Sequence, residues 1–162
     1  MRDMVKKIAI TPGTFDPITL GHLDIIERAS VLFDEVVVGV AASVGKKPKL
    51  PLDVRAELVK NSVAHLDNVQ VKTFSGMLVD FANENSAHVI VKGLRAMTDF
   101  EYEFQQCAIN SELDGSLENI FIMSAPEHMY LSSSVVREMH ALGSDISKFV
   151  PKCVAEYFVS LR

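Results

Sequence analysis

The chain has 162 residues, a formal net charge of −5 and an isoelectric point near 5.5. This length suits a single domain over residues 1–162 with a buried core. An acidic protein does not attract nucleic acid as a whole, so any phosphate-bearing ligand must be held by local lysines and arginines. No apolar stretch is long enough to span a membrane, and the first ten residues lack the pattern of a secretory signal. We therefore expect a cytoplasmic protein with no membrane or nucleic-acid partner.

Five apolar segments rich in β-branched residues predict five strands. They cover residues 6–11, 35–42, 68–74, 88–93 and 119–125. Several are apolar almost throughout, which is typical of parallel strands that helices cover on both faces. The two cysteines, Cys107 and Cys153, do not have a metal-binding spacing and are expected to be reduced, buried thiols.

Helical patterns fill the intervals between the predicted strands. Apolar stripes at helical spacing cover residues 23–33, 52–66 and 77–85, a longer stretch that follows Thr98, and a tail over 132–161 interrupted near Gly143 and Pro151. In the stretch after Thr98, the side chains expected to point inward are Phe100, Phe104, Cys107 and Ser111. Repeated βα units predict a single Rossmann-like, doubly wound α/β domain with a five-stranded parallel sheet and C-terminal helices.

In such a sheet, ligands bind beyond the carboxyl ends of the strands. The first of these ends carries "GTFDPITLGH" at 13–22, which is neither a GxGxxG turn nor a Walker loop. His22 is expected at or near a helix N-terminus, where free N–H groups favour a phosphate. The alternative is that Thr19 or Asp16 caps the helix and that His22 is an ordinary surface residue.

Cations follow two other predicted strands. Lys46, Lys47 and Lys49 lie in a loop that either reaches a phosphate or is solvated surface. Lys92 and Arg95 flank a glycine directly after a buried strand, which favours anion binding. The acids that follow, Asp99, Glu101 and Glu103, complement a helix dipole, and Asp99 or Glu103 could also point into the site.

The fifth strand end leads to three consecutive serines, Ser132 to Ser134, with Arg137 one turn further. They either cradle a polyphosphate or form an N-cap, and Tyr130 beside them either stacks on a base or belongs to the core. No pattern of a nucleophile or metal cluster accompanies these residues. The combination favours a site that transfers a phosphoryl or nucleotidyl group by electrostatic stabilisation rather than covalent catalysis.

The motifs carry a family resemblance. "TLGH" at 19–22 and "LSSSVVR" at 131–137 resemble the [HT]xGH and ISSTxxR signatures of the nucleotidyltransferase α/β-phosphodiesterase superfamily. "PGTFDPITLGH", "AASVGKKP", "KGLRAMTDFEYE" and "LSSSVVRE" are similar, in order, to bacterial phosphopantetheine adenylyltransferases. The resemblance implies reversible adenylyl transfer from ATP to 4′-phosphopantetheine, giving dephospho-coenzyme A and pyrophosphate. It also implies Mg²⁺ bound mainly through ATP phosphates and a homohexamer of two trimers. Because coenzyme A resembles the product, we expect it to compete with the substrates at the same site.

The resemblance also implies residue roles. His22, Lys46 and Arg95 would be catalytic. The acceptor would contact Thr14, Lys46, Leu78 and Lys92. ATP would contact Thr14, Phe15, His22, Gly93, Leu94, Arg95, Glu103, His128, Met129, Tyr130, Leu131, Ser132, Ser133 and Ser134. Many members have arginine where Lys92 stands, and lysine keeps the charge without the bidentate geometry.

Two other functions remain open on the sequence. One is a nucleotidyltransferase of the same superfamily that acts on nicotinamide mononucleotide or glycerol 3-phosphate. The other is a non-catalytic module of similar fold that binds a nucleotide. The segment "KGLRAMTDFEYE" and the lysine loop favour phosphopantetheine as the acceptor.

Overall fold

The computed structural model describes residues 6–43, 45 and 47–161. Within them, five strands form one parallel sheet in the order β3-β2-β1-β4-β5. The strands are β1 (Ile8–Gly13), β2 (Glu35–Ala41), β3 (Val69–Phe74), β4 (Val89–Leu94) and β5 (Glu118–Met123). Each predicted strand is confirmed, with bounds shifted by two residues at most.

Six α-helices connect and follow the strands. They are α1 (Leu20–Leu32), α2 (Leu52–Ser62), α3 (Leu78–Glu84), α4 (Met97–Leu113), α5 (Ser133–Ala141) and α6 (Lys152–Ser160). A short 3-10 helix, Pro126–His128, precedes α5. The C-terminal helices break where the sequence predicts, around Gly143 and at Pro151.

The three central strands are buried because helices cover both faces of the sheet. On β1, Ile10 pairs with Val37 of β2 on one side and with Ile90 of β4 on the other. One core lies under α1, α2, α5 and α6, and a second lies under α3, where Phe81 stacks on Phe74. This arrangement confirms the predicted doubly wound α/β fold.

Helix α4 is oriented differently from the prediction. Phe104 is 59% exposed, Phe100 and Ser111 are also exposed, and Cys107 is only half-buried. The more buried face instead carries Asp99, Glu103, Gln106 and Asn110. The prediction was wrong because this helix turns a charged face towards a cavity beside the sheet and leaves its apolar face outside.

Two smaller expectations also have outcomes in the described part of the chain. Cys107 and Cys153 are free thiols, as expected, although both are half-buried. No helix formed by the described residues combines the length and the hydropathy needed to cross a membrane.

Candidate active site

A cavity of about 710 Å³ opens at the carboxyl edge of the sheet. It lies beside β1 and β4, the neighbouring strands at which the strand order reverses, because β1 is followed by β2 on one side and β4 by β5 on the other. This is the expected ligand position in an open α/β sheet. The predicted site residues that line it are Thr14, Phe15, His22, Leu78, Lys92, Gly93, Arg95, Glu103, Leu131, Ser132, Ser133 and Ser134. Together with Ala41 and Lys47 at the end of β2, segments from the ends of all five strands meet in one cavity.

Other predicted site residues lie elsewhere. Leu94 is buried, and its carbonyl accepts a hydrogen bond from the Ser124 amide at 2.8 Å. His128, Met129 and Tyr130 do not line the cavity, because the 3-10 helix and the turn after it hold them beside it. Tyr130 is exposed and meets Phe149 edge-on at 6.3 Å. Lys46 lies outside the described residues, whereas its neighbour Lys47 lines the cavity.

His22 occupies the third position of α1, and a capping box fixes its ring. The helix begins at Leu20, with Thr19 as its N-cap. The Thr19 amide donates to His22 Nδ1 at 3.0 Å, and the His22 amide donates to Thr19 Oγ1 at 3.4 Å. Thr19 therefore caps the helix, as the second alternative expected, but His22 is not an ordinary surface residue, because it lines the cavity. Its contact with a phosphate remains a prediction. Because Nδ1 accepts a hydrogen bond, the proton of the neutral ring is on Nε2.

The surroundings of His22 favour its neutral form. Burial lowers its pKa from 6.5 to about 4, and the positive charge of Arg95 acts in the same direction. The ring of Phe15 lies edge-on to the imidazole, with centroids 5.3 Å apart. At neutral pH, His22 is thus an uncharged donor with one available N–H.

Arg95 is held in place by two segments. Its guanidinium donates to Asp99 through Nε at 3.1 Å and Nη2 at 3.2 Å, and to the Leu131 carbonyl through Nη1 at 2.6 Å. The Asp99 pair is bidentate, which fixes the plane of the guanidinium. Arg95 therefore links the end of β4 to the segment that carries the serines.

Lys92 forms an ion pair with Glu103 at 2.5 Å, and both side chains are largely buried. The sequence allowed either Asp99 or Glu103 to point into the site, and the structure places both on the cavity wall. The two predicted anion-binding cations of β4 are thus both paired with acids of α4. A substrate phosphate would compete with these carboxylates for the same charges.

The serine segment combines capping with a connection to the first turn. Ser132 caps α5 by accepting from the Val135 amide at 3.1 Å. Ser133 donates to the Pro17 carbonyl at 2.7 Å, and Ser134 accepts from Arg137 at 3.2 Å. The N-cap interpretation is correct for Ser132, and all three serines also line the cavity.

Comparisons with known proteins agree with this geometry. Residues 10–139 match the cytidylyltransferase-like family. A phosphopantetheine adenylyltransferase from Rubrobacter xylanophilus is 55% identical over 149 residues, which cover 92% of this chain and 91% of that protein. This chain belongs to the phosphopantetheine adenylyltransferase family. The predicted resemblance, and with it the nucleotidyltransferase superfamily, is confirmed.

A solved structure supports the fold of this phosphopantetheine adenylyltransferase family member. A Vibrio parahaemolyticus protein assigned as a nicotinate-nucleotide adenylyltransferase superimposes with a TM-score of 0.71, over 96% of this chain and 99% of that one. At 24% sequence identity, this likeness concerns the fold alone.

Two residues near the site of this family member, Asp16 and Arg55, were not predicted from the sequence as site residues. Asp16 accepts hydrogen bonds from the amides of Lys49 and Leu50, and Arg55 of α2 is 2% exposed. A signal for Arg55 was present, because positions 52, 55, 59 and 62 share one helical face and 55 carries the charge on it. A charged side chain among inward positions indicates a buried polar partner.

The carboxylates on the cavity wall do not form a metal cage. In the described parts of the chain, no group of three His, Cys, Asp or Glu side chains could hold a metal ion. Asp16 pairs with Arg137, Asp99 with Arg95 and Glu103 with Lys92. These side chains offer their oxygens to cations of the protein itself.

Proposed function

We propose that this protein transfers the adenylyl group of ATP reversibly to 4′-phosphopantetheine, the penultimate step of coenzyme A biosynthesis. The name and the 55% identity of the Rubrobacter relative support this choice of acceptor. The observation that carries the chemistry is His22, which lines the cavity with Nδ1 bound to Thr19 and leaves its Nε2–H for a ligand.

The reaction needs alignment and charge stabilisation. A phosphate oxygen of 4′-phosphopantetheine attacks the α-phosphorus of ATP, and the bond from that phosphorus to the bridging oxygen breaks, releasing pyrophosphate. The attacking group is already an anion, so no general base is required. The protein must bring two mutually repelling phosphates together and stabilise the charge that develops on the α-phosphoryl oxygens.

His22 supplies the stabilisation. Its Nε2–H donates to an α-phosphoryl oxygen, and the hydrogen bond strengthens as negative charge builds there. Because the ring is neutral before the substrates bind, it does not form a salt bridge with the ground-state triphosphate that would hold the substrate as tightly as the transition state. Lys46, assigned by the family motif, adds positive charge from the lysine loop, where Lys47 lines the cavity.

The remaining wall residues orient the two substrates. Lys92 exchanges the Glu103 carboxylate for the acceptor phosphate, while Leu78 borders the pantetheine arm. Thr14 contacts both substrates, and Phe15, Gly93 and Arg95 border ATP. The N-terminus of α5, with its serines, receives the polyphosphate because helix N-termini favour anions. Contact of ATP with Leu94, Glu103, His128, Met129 and Tyr130 remains a prediction.

Magnesium is proposed to arrive with the nucleotide. The paired carboxylates of the cavity do not fit a resident ion, so Mg²⁺ would be held through the phosphate oxygens of ATP. When bound there, it would neutralise phosphate charge alongside the protein's cations. A cytoplasmic location is also proposed, because two free cysteines suit a reducing compartment.

A homohexamer is proposed for the assembly. The supporting observation is that α4 and β5 leave several large apolar side chains exposed, among them Phe104, Ile109, Leu113, Ile120 and Met123. Analytical ultracentrifugation should give the mass of six chains, and Phe104→Asp should shift it towards smaller species. A wild-type monomer at all concentrations would contradict the hexamer.

Feedback by coenzyme A is proposed at the same cavity, because coenzyme A contains both halves of the product. Calorimetric titration with coenzyme A in the absence and presence of excess ATP tests this. Weakened binding in the presence of ATP supports competition, and unchanged binding indicates a separate site.

Pyrophosphate release tests the proposed activity. The protein is incubated with ATP and one acceptor at a time: 4′-phosphopantetheine, nicotinamide mononucleotide or glycerol 3-phosphate. We expect turnover with 4′-phosphopantetheine and none with the other two acceptors. Turnover with nicotinamide mononucleotide and none with 4′-phosphopantetheine would overturn the assignment, and ATP binding with no turnover of any acceptor would indicate a binding module.

A further inference from the structure

Two charged side chains are almost fully removed from solvent: one lies in the turn that follows β1, and the other reaches that turn from α2. Arg55 is 2% exposed and Asp16 is 5% exposed. Arg55 belongs to α2 and does not line the cavity, whereas Asp16 lies at its wall. Buried charges are costly unless they are hydrogen-bonded, so their partners indicate what they do.

Arg55 binds three backbone carbonyls from three different segments. Nη1 donates to the Thr14 carbonyl at 2.6 Å and to the Ala41 carbonyl at 2.8 Å, and Nε donates to the Leu50 carbonyl at 3.0 Å. These carbonyls belong to the turn after β1, the end of β2 and the segment before α2. One guanidinium therefore holds together three pieces of backbone that surround the cavity.

Asp16 makes the complementary contacts. Its Oδ2 accepts from the Lys49 amide at 2.9 Å and its Oδ1 from the Leu50 amide at 2.8 Å. It also pairs with Arg137 of α5 at 3.3 Å, and Arg137 donates to the Asp16 carbonyl. Leu50 is thus held by Asp16 through its amide and by Arg55 through its carbonyl.

The same contacts surround two strained residues. Phe15 has a φ of 49° and Ser43 a φ of 61°, a left-handed region that non-glycine residues rarely adopt. The hydroxyls of Thr14 and Ser43 lie 2.8 Å apart. Such conformations persist only where the surrounding structure enforces them. Arg55 binds the carbonyl of Thr14, which precedes Phe15, and the carbonyl of Ala41, two residues before Ser43.

We propose that Arg55 and Asp16 are positioning residues that set the distance between Thr14 and the lysine segment at 47–50, and so form the acceptor side of the cavity. This inference rests on the proposed function, because it assigns that side to the acceptor. Arg55 acts through the backbone without touching a substrate. The nucleotide side, formed by Gly93, Arg95 and α5, is connected to Asp16 through its ion pair with Arg137.

Two conservative variants separate positioning from general stability. Asp16→Asn keeps the size of the side chain and one carbonyl acceptor but loses the charge, and Arg55→Lys keeps the charge but cannot reach three carbonyls. We expect each to raise the KM for 4′-phosphopantetheine about 10-fold, the scale of one charge-assisted hydrogen bond, and the KM for ATP less than about 3-fold.

Asn68→Ala is the matched control. The Asn68 side chain also joins two carbonyls, those of Ser30 at 2.8 Å and Phe33 at 3.1 Å, but at the amino edge of the sheet. We expect a lower Tm for this variant and no change in either KM. If Asp16→Asn and Arg55→Lys raise both KM values equally, the positioning role is wrong.

Amide hydrogen exchange gives a readout that does not require turnover. The Lys49 and Leu50 amides should exchange faster in Asp16→Asn than in the wild type, and at wild-type rates in Asn68→Ala. Unchanged exchange in Asp16→Asn would overturn the positioning role. A wild-type protein inactive towards all acceptors would instead contradict the proposed function, with the exchange rates still deciding whether Asp16 holds this segment.

Discussion

The two sides of the cavity are built on different principles. On the β1–β2 side, buried Asp16 and Arg55 bind backbone groups from distant segments. On the β4–α4 side, Lys92 pairs with Glu103 and Arg95 with Asp99 through side chains that are partly open to the cavity. Breaking a buried network leaves polar backbone groups unpaired, whereas an ion pair on the cavity wall can exchange its carboxylate for a substrate phosphate. The first side therefore fixes geometry, and the second provides charges that a substrate can claim.

His22 stands between these two sides. Thr19 and Phe15 hold its ring from the turn after β1, and burial lowers its pKa, with the charge of Arg95 on the other side acting in the same direction. The proposed role of His22 as a transition-state donor depends on this position.

The largest effect is expected for His22→Ala. Turnover should fall by about 10²-fold or more, the scale for removal of a donor to the transition state. ATP affinity measured by calorimetry should change less than about 3-fold, because the lost interaction forms mainly in the transition state.

His65→Ala is the control for that measurement, since His65 is exposed and binds Glu27 at 2.8 Å on the protein surface. It should leave turnover unchanged. Equal losses of ATP binding and turnover in His22→Ala would make His22 a ground-state ligand and contradict the proposed role.

A smaller effect is expected for Lys92→Ala on the β4–α4 side of the cavity. The acceptor loses one cation, so its KM should rise about 10-fold while kcat falls less. Lys92→Arg, which restores the charge in bidentate form, should stay within about 3-fold of the wild type. Steady-state kinetics measure both, and an ATP KM that rises as much as the acceptor KM would place Lys92 on the nucleotide side.

The pKa of His22 predicts a pH dependence of stability. Between pH 6.5 and about 4 the unfolded chain binds a proton at this histidine and the folded protein does not. The free energy of unfolding should therefore decrease as the pH falls through this range, by less than about 1.4 kcal/mol per pH unit. Denaturant unfolding of the wild type and His22→Gln should differ in this slope, and equal slopes would contradict a lowered pKa.

The smallest effect is expected for Glu103→Gln. The neutral amide no longer competes for Lys92, so the KM for the acceptor should decrease about 2- to 3-fold, the scale of a partly exposed ion pair. An increased acceptor KM would mean that Glu103 orients Lys92 instead of competing for it.

Local patterns in the sequence were sufficient for much of this architecture. Apolar β-branched runs identified all five strands, and the rule that ligands bind at the carboxyl ends of parallel strands led to His22, Lys92 and Arg95. These features depend on residues close together in the chain. They could therefore be predicted without knowing which segments meet.

The features that were missed depend on distant contacts. Arg55 binds a carbonyl 41 positions away, which no helical pattern can show. The stripe through Phe100 and Phe104 was correctly apolar, but a stripe does not tell whether its helix turns it towards the sheet or outward. Likewise, the 3-10 helix that carries His128, a residue that does not line the cavity, has no periodic signal.

The reverse reaction tests the central claim most directly. The protein is incubated with pyrophosphate, Mg²⁺ and either dephospho-coenzyme A or NAD, and ATP formation is followed by luminescence. We predict ATP from dephospho-coenzyme A, none from NAD, and a rate about 10²-fold lower in His22→Ala. ATP formed from NAD and not from dephospho-coenzyme A would contradict adenylyl transfer to phosphopantetheine. ATP formed at the wild-type rate by His22→Ala would contradict the role of His22 at this cavity.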